Sequence, residues 1–519
     1  MGSPLDFDDD GASLVGIGLL FQVQSGKGGL VVATARSSIG ATQLDRALSG
    51  WQQGREAAYR ALAGSLRTLV LDGRVPVETR LPAERELCAV LGVSRTTVTA
   101  AYELLREEGF LASRRGSGSW TALPAGRPRP AAGLSPYPSE RGGMIDLGVA
   151  AMTAAEPWIG RAMTAACAEL PAYTRTHGDF PAGLQVLREA VAERFAQRGL
   201  PTSAEQIMIT SGAAGALTLL LRALVGPADR IAVESPSYAN ALQAIRFHGG
   251  RAVPVPFEED RWSMDAWARA LREAAPTLAY LVPDFHNPTG LLMPDEQRRE
   301  LVALARATGT QLIVDETMVE LALDDSAPMP RPVASFDRSG SVITIGSAGK
   351  TFWGGLRIGW IRAAPDLIRR IAGDRASMDV CSPVMEQLAV RHLLGECLPE
   401  VLAYQRQRIR EQRDALVAAV REELPEWTFR VPGGGLSLWV RTEEGGISGS
   451  TLAATAAQSF GVWIGSGPRF GVDGVLERFV RLPFSQPAEV SREAVRRLAA
   501  ARAAGTGSDA TGPAEFSLL

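Results

Sequence analysis

Lysine is almost missing from this chain. Of 54 Lys and Arg side chains in 519 residues, only Lys27 and Lys350 are lysine. Arginine stays protonated and delocalised to about pH 12, so it cannot attack a carbonyl as a free amine. A lysine kept in the body of such a chain points to Schiff-base chemistry, with chance survival of compositional drift as the plain alternative. Cysteine is scarce too. Cys88, Cys167, Cys381 and Cys397 are far apart and lack metal-ligand spacing, so no metal site is read, and the pattern suits a reducing cytoplasm. Positive charge is not in excess, the formal net charge being -3, so any nucleic-acid contact must be local. Long apolar runs are absent as well. Leu14 to Phe21 falls well short of the roughly 20 residues that cross a bilayer, and it follows the acidic Asp6 to Asp10 rather than the basic start of an export signal. No membrane partner is expected.

What is present divides the chain. At this length one ordinary domain is exceeded. Residues 1–54 read as an extension without evident structure, which a start codon placed too far upstream would explain. Residues 55–122 read as a small helical module. Residues 123–142 hold Pro124, Pro128, Pro130, Pro136 and Pro138, a semi-extended tether of about 3.1 Å per residue and up to about 60 Å of reach. From 143 to 505 apolar strand-length runs (Gln206 to Thr210, Arg230 to Glu234, Ala279 to Pro283, Gln311 to Asp315, Ser341 to Ile345) alternate with helical stretches such as Pro294 to Thr308. That alternation predicts an α/β lobe with a largely parallel sheet. Beyond Glu386 the pattern turns helical. Strands at Leu436 to Val440 and Phe479 to Phe484 then precede a last helix, Glu489 to Ala503, which together predict a smaller α+β lobe. Residues 506–519 form a tail.

In the helical module, LPAERELCAVLG predicts a helix opened by Pro82 and broken by Gly92. Ser94 then caps a second helix, SRTTVTAAYELLREEG, with the apolar face Val98, Ala101, Tyr102, Leu104 and Leu105. Two helices around a glycine turn make a helix-turn-helix. Its exposed positions Ser94, Arg95, Thr96, Thr97 and Thr99 suit phosphates and base edges. FLASRRGSGSW predicts a two-stranded wing whose turn carries Arg114 and Arg115; a merely solvated hairpin is the alternative. Arg55 to Trp120 holds ten arginines against eight acids, so the positive charge has to gather on one face. The stretch from Leu81 to Leu111 resembles the N-terminal module of the GntR family of regulators. The resemblance implies that Arg85, Arg95, Thr96, Thr97 and the wing around Gly116 contact double-stranded DNA.

Around Lys350 the stretch SAGKTFWGGLRIGW sets Ser347 three residues before the amine and Arg357 seven after it. TSGAAGAL leaves a strand and opens a helix at Gly212 and Ala213, offering N–H groups and a positive dipole end to an anion. Asn287 in DFHNPTG lies just past a strand end, where α/β sheets bind ligands; an Asn-Pro turn is the plain alternative. Asp315 ends the apolar strand QLIVD, where a carboxylate needs a cationic partner. Tyr238 in SPSY follows another strand end, and reads equally as a core tyrosine.

The order TSGAAGAL, SPSY, NPTG, VDE and SAGKTFWGGLRIGW resembles fold type I aminotransferases, which depend on pyridoxal 5'-phosphate. That likeness implies that Lys350 forms the Schiff base, Asp315 pairs with the pyridine nitrogen, Asn287 meets the phenolate oxygen and Tyr238 stacks on the ring. It gives the phosphate to Gly212, Ala213, Ser347 and Arg357. Arg481, in FVRLPF, falls where the family grips a substrate or effector carboxylate. Two positions depart from the pattern. Met318 stands where a tyrosine is usual, and of Tyr173 and His177 neither is assigned as the aromatic phosphate ligand of a partner subunit. A winged helix fused to such a body resembles the MocR subfamily of GntR-type regulators, from about Thr42 to Ala503. The resemblance implies a cytoplasmic, head-to-tail homodimeric regulator that senses pyridoxal phosphate or its adduct with an amino compound. A working aminotransferase with a fused DNA-binding domain is the competing reading, and Met318 weighs against it.

Overall fold

Short β-branched runs that are apolar at nearly every position can bury both faces of a strand only if helices cover the sheet on both sides. The computed structural model builds that arrangement. It describes residues 37–48, 51, 57–114, 118–124 and 143–506, apart from 259, 325–327, 396 and 444–445. The large lobe holds an eight-stranded sheet in the order Ile207–Thr210, Gly359–Arg362, Val342–Ser347, Gln311–Asp315, Leu278–Leu281, Arg230–Ser235, Arg251–Glu258 and Arg261–Trp262. Its interior pairs are parallel, with Ile313 between Tyr280 and Ile343. Gly359–Arg362 runs antiparallel to both neighbours, as does the terminal strand Arg261–Trp262 to Arg251–Glu258. Leu312 and Val314 face one buried cluster, shared with the helices Gln185–Gln197, Asp295–Thr308 and Val384–Leu394. Ile313 and Tyr280 face the other, under Gly212–Leu224, Ala239–Phe247 and Pro365–Arg375.

Three of these strands escaped the sequence reading, among them Arg261–Trp262, whose two residues are too short a run to show alternation. Pro254 and Pro256 interrupt Arg251–Glu258, yet the strand lies next to the sheet edge, where a missing N–H is tolerated. Gly359–Arg362 is four residues long and hidden behind two glycines.

The small lobe has a five-stranded sheet, ordered Thr428–Phe429, Ser437–Arg441, Phe479–Pro483, Val462–Ser466 and Ile145–Leu147. The helices Leu398–Glu423, Gly449–Phe460 and Ala488–Thr506 share its core. Ile145–Leu147 comes from the far end of the body, so the small lobe is closed by both ends of that segment.

The N-terminal module has its own core, in which Leu62, Leu66, Leu87, Val98, Tyr102 and Leu105 are buried. It begins earlier than residue 55. Ser37–Ser38 pairs in parallel with Thr79–Arg80, and the short helix Ala41–Ala47 puts Leu44 into the same core, followed by Leu48. Two leucines four residues apart are too little periodicity to read as a helix from sequence. The recognition pair is Glu84–Leu91 and Arg95–Glu107, with Gly92 left-handed between them at φ 66°. Pro82 precedes the first helix rather than opening it, and its carbonyl accepts the Tyr102 hydroxyl at 3.1 Å. The strands Leu111–Arg114 and Gly118–Thr121 form the wing. The tether from 125 to 142, the first 36 residues and the tail beyond 506 lie outside the described residues. No described helix is long and apolar enough to cross a membrane.

The loop carrying Asn287 is held by a buried ion pair. Arg298, fully buried, donates to Asp284 Oδ1 at 2.7 Å and to the carbonyls of Met293 and Arg331 at 2.8 and 3.0 Å. Removing one member strands a buried charge, which costs about 3–5 kcal/mol. Arg298→Ala should lower the stability of the body by that amount in urea unfolding, and Arg298→Met paired with Asp284→Asn should recover part of it. Equal loss in both would show that the charge pair is not what fixes the loop.

Candidate functional site

The start of the second recognition helix is a network of hydroxyls. Ser94 Oγ accepts the Thr97 N–H at 3.1 Å and lies 2.7 Å from Thr96 Oγ1 and 2.8 Å from Thr97 Oγ1, an N-cap that frees the first turn to meet an anion. Arg95 and Arg85 are exposed, and neither guanidinium has a hydrogen-bond or ion-pair partner among the described residues. Thr97 and Thr99 depart from the expectation of exposure, both being half-buried. The Thr99 hydroxyl donates to Glu84 Oε2 at 2.7 Å, bracing the two helices against each other. Arg106 ties the same helix to the wing through Ser119 Oγ at 3.0 Å. Arg115 and Gly116, and the side chain of Arg114, lie outside the described residues.

The second site forms where parallel strands end. Asp315 closes Gln311–Asp315, the Asp284 to Gly290 loop follows Leu278–Leu281, Tyr238 follows Arg230–Ser235, and Lys350 sits in the single turn Ala348–Thr351 after Val342–Ser347. Lys350 Nζ donates to the Ala150 carbonyl at 2.5 Å. Burial pushes its amine down to about 8, helped by the charges of Arg481 and Arg357 and opposed by Asp315. Burial raises the Asp315 carboxyl, against the Thr317 N–H and the Tyr280 hydroxyl that hold its charged form. Those two bonds are 3.0 and 2.7 Å.

Tyr280 was missed from sequence, although a lone phenol in the apolar strand LAYL was the available signal. Its burial and the neighbouring Asp315 charge push that phenol well above its ordinary value, so it acts as a fixed donor.

The anion cradle is built from backbone. Gly212 is left-handed at φ 77°, and a Cβ there would come within 3.2 Å of Arg357 Nη2; Gly359 approaches so closely that its own Cβ would lie 2.5 Å from the Gly212 carbonyl carbon. Arg357 is exposed and donates to the Ser211 carbonyl at 3.0 Å. Ala213 follows in the first turn of Gly212–Leu224. Ser347 caps the lysine turn, accepting the Gly349 N–H at 3.0 Å, and donates weakly to the Ile358 carbonyl at 3.3 Å. Ser211, also missed, donates to Asp379 Oδ2 at 2.9 Å. Asp379 is itself paired with Arg375 at 2.6 Å, which offsets its charge beside the cradle.

On the opposite wall, Arg481 Nη1 donates to Asn287 Oδ1 at 3.1 Å and Nη2 to the Gly148 carbonyl, while its Nε is buried without a partner among the described residues. Burial, with the Arg469 charge, pushes this guanidinium down to about 10, so it stays cationic at neutral pH. Its plane lies over the Phe470 ring at 4.8 Å. The amide NH2 of Asn287 has no partner among the described residues and is free to donate. Tyr238 packs against the large-lobe core and accepts from Asn240 Nδ2 at 3.0 Å. Met318 is buried in the small-lobe core with Phe285, Leu321 and Leu323, and its side chain carries no hydroxyl. Tyr173 packs edge-on against Phe180, and His177 is exposed.

These residues fit pyridoxal 5'-phosphate. An amine of lowered basicity, a buried carboxylate that accepts two hydrogen bonds, a free amide donor and an N–H cradle that a Cβ would fill match its aldehyde, pyridinium, phenolate and phosphate in turn. Residues 148–501 match the family aminotransferase class I and II, and residues 58–120 match bacterial regulatory proteins of the gntR family. The HTH-type transcriptional regulator YisV of Bacillus subtilis is 28% identical over 76% of this chain and 86% of its own length. The probable rhizopine catabolism regulatory protein MocR of Rhizobium meliloti is 29% identical over 71% of this chain and 78% of its own. Among solved structures, the α-aminoadipate aminotransferase LysN of Thermus thermophilus, complexed with N-(5'-phosphopyridoxyl)-L-leucine, superposes with a TM-score of 0.64 at 27% identity, covering 72% of this chain and 96% of that one.

The lowered basicity of Lys350 gives a direct test. Borohydride trapping of pyridoxal phosphate on the cofactor-free protein should mark Lys350, with a rate that rises through about pH 8, whereas an ordinary lysine titrates near 10.5. Peptide mapping and a pH series read both. A midpoint near the ordinary value, or a label on Lys27 alone, contradicts the site.

Proposed function

Because this chain belongs to the class I and II aminotransferase family and carries a gntR-type DNA-binding module, the pairing of MocR-type regulators, we propose that it is a transcription factor whose body senses pyridoxal 5'-phosphate or its adduct with an amino compound. The observation that carries the reading is one chain holding two sites. Arg85 and Arg95 stand exposed and without partners among the described residues beside a capped recognition helix, while Lys350, Asp315, Tyr280, Asn287 and Arg481 converge at the strand ends. When bound, pyridoxal phosphate supplies an electrophilic aldehyde and an electron sink. The protein's residues do the rest. Lys350 offers the amine, Asp315 fixes the charge of the ring nitrogen, and Gly212, Ala213, Ser347 and Arg357 take the phosphate. Asn287 donates to the phenolate, and Arg481 takes a carboxylate by a bidentate pairing.

Sensing is favoured over turnover by Met318. Its thioether, packed in the small-lobe core, cannot donate to the phenolate oxygen and so removes one group that tunes proton movement in catalysis. The regulator acts in the cytoplasm, on an operator of double-stranded DNA, as a head-to-tail homodimer. Two copies give two recognition helices, which suits a repeated half-site.

Selection of bound fragments from genomic DNA, with and without pyridoxal phosphate, tests the reading. The same operators should be recovered with affinities that differ by about tenfold between the two states, and Lys350→Arg should keep binding but lose the difference. The reading fails if no sequence is enriched in either state. It fails equally if the unmodified protein converts amino acids and keto acids over several turnovers per second.

A further inference from the structure

The DNA-reading module is clasped to the body. Its long helix Ala58–Leu71 ends on the small lobe, and Asp72, the next residue, is only 8% exposed. Arg478 takes that carboxylate with both arms of its fork, Nε to Oδ1 at 3.0 Å and Nη2 to Oδ2 at 2.7 Å, and Arg441 adds a third contact at 3.2 Å. The Leu476 N–H donates to the Leu71 carbonyl at 2.6 Å. Gly73 turns away at φ 70°, and its Cβ position lies 3.3 Å from Val475 and from Leu476. Leu476 is 1% exposed and held at φ 73°, a left-handed backbone that a side chain such as leucine rarely adopts. A buried carboxylate between two arginines and a strained leucine beside it form a specific joint, not a passing surface contact.

Each side of the joint leads to a functional site. Arg478 enters the strand Phe479–Pro483, in which Arg481 lies three residues on. Arg441 is register partner of Phe479, and Trp439 of Arg481. The Trp439 ring stacks on Phe479 at 5.2 Å and meets Phe470 edge-on at 5.5 Å, the ring beneath the Arg481 guanidinium. On the other side, Leu62, Leu66 and Leu69 of the long helix share one core with Val98, Tyr102 and Leu105 of the recognition helix. Arg67 also forks onto Glu108 at the end of the recognition helix, at 2.9 and 2.7 Å.

Resting on the functional reading above, we propose that this clasp is the surface through which occupancy of the Arg481 site reaches the DNA-reading module. In this structure Arg481 spends its donors on Asn287 and Gly148 and leaves Nε buried and unpaired. A ligand carboxylate presents two acceptors to that guanidinium, which exchanges partners and shifts the strand that carries it. The same strand begins at the clasp. Engagement at one end and release of Asp72 at the other are thereby one event, and by linkage each changes the affinity of the other. Arg481 receives the carboxylate of the effector. Arg478 and Arg441 are positioning residues whose guanidiniums hold the Asp72 carboxylate.

The test uses the full chain, an operator fragment, and N-(5'-phosphopyridoxyl)-L-alanine as probe, a stable adduct that offers both a phosphate and a carboxylate. Fluorescence anisotropy of labelled operator reads affinity with and without probe. Wild type should respond by about tenfold. Asp72→Asn without probe should already bind as probe-saturated wild type does, and its remaining response should fall below about twofold. Arg478→Gln should do the same from the body side, and Asp72→Arg combined with Arg478→Asp should restore a response. Borohydride trapping on Lys350, unchanged in every variant, shows that the body is intact. Should Asp72→Asn fail to fold, Arg441→Gln on the exposed side of the clasp serves in its place, with a reduced response expected. A full wild-type response in Asp72→Asn or in Arg478→Gln overturns the clasp while leaving the functional reading standing. No response in wild type defeats the functional reading itself, and the role of the clasp with it.

Discussion

An amine held partly buried beside two guanidiniums is the constraint on which the rest depends. Lys350 meets the repulsion of Arg481 and Arg357 and the loss of water together, and only Asp315 pulls the other way. Burial raises that carboxyl, and the Thr317 N–H and the Tyr280 hydroxyl oppose the rise by bonding its charged form. A cation-rich cleft with one shielded carboxylate is unfavourable when empty and favourable around an anionic ligand. Arg481 carries the same imbalance in its buried, unpaired Nε. The site is therefore poised to gain from a molecule that brings a phosphate and a carboxylate, and that gain is available to drive a change elsewhere.

The parallel sheet makes this placement possible. Adjacent strands end at one edge, so residues more than a hundred positions apart, Tyr238 and Lys350 among them, arrive together without any long excursion of the chain. The small lobe then closes the cleft from the other side with Arg481 on its central strand. Since the module docks on the lead-in to that strand, one element carries both the clasp and Arg481.

Much of this was legible in the sequence because it is local. The strand ending in Asp315, the turn at Gly212 and the lone body lysine each declare themselves within a few residues, and so does the pair of helices around Gly92. What was not legible depends on distance. Tyr280 becomes a partner of Asp315 only through parallel register, and Asp72 meets Arg478 across some 400 residues. Thr99 looked exposed because a helical wheel does not show that Glu84, on the preceding helix, claims its hydroxyl. The module's early start was hidden for a similar reason, since Leu44 is apolar in sequence but belongs to a core only once its helix packs against Glu84–Leu91.

The central claim is that one free energy links the cofactor cleft to the recognition helix. Titration calorimetry of pyridoxal phosphate into the protein, alone and saturated with operator DNA, measures that quantity from the cofactor's side. Linkage requires the cofactor's Kd to shift by the same factor that the cofactor imposes on DNA binding, within the range of about 5- to 150-fold usual for coupled sites. A Kd for pyridoxal phosphate that is the same with and without operator would contradict the account.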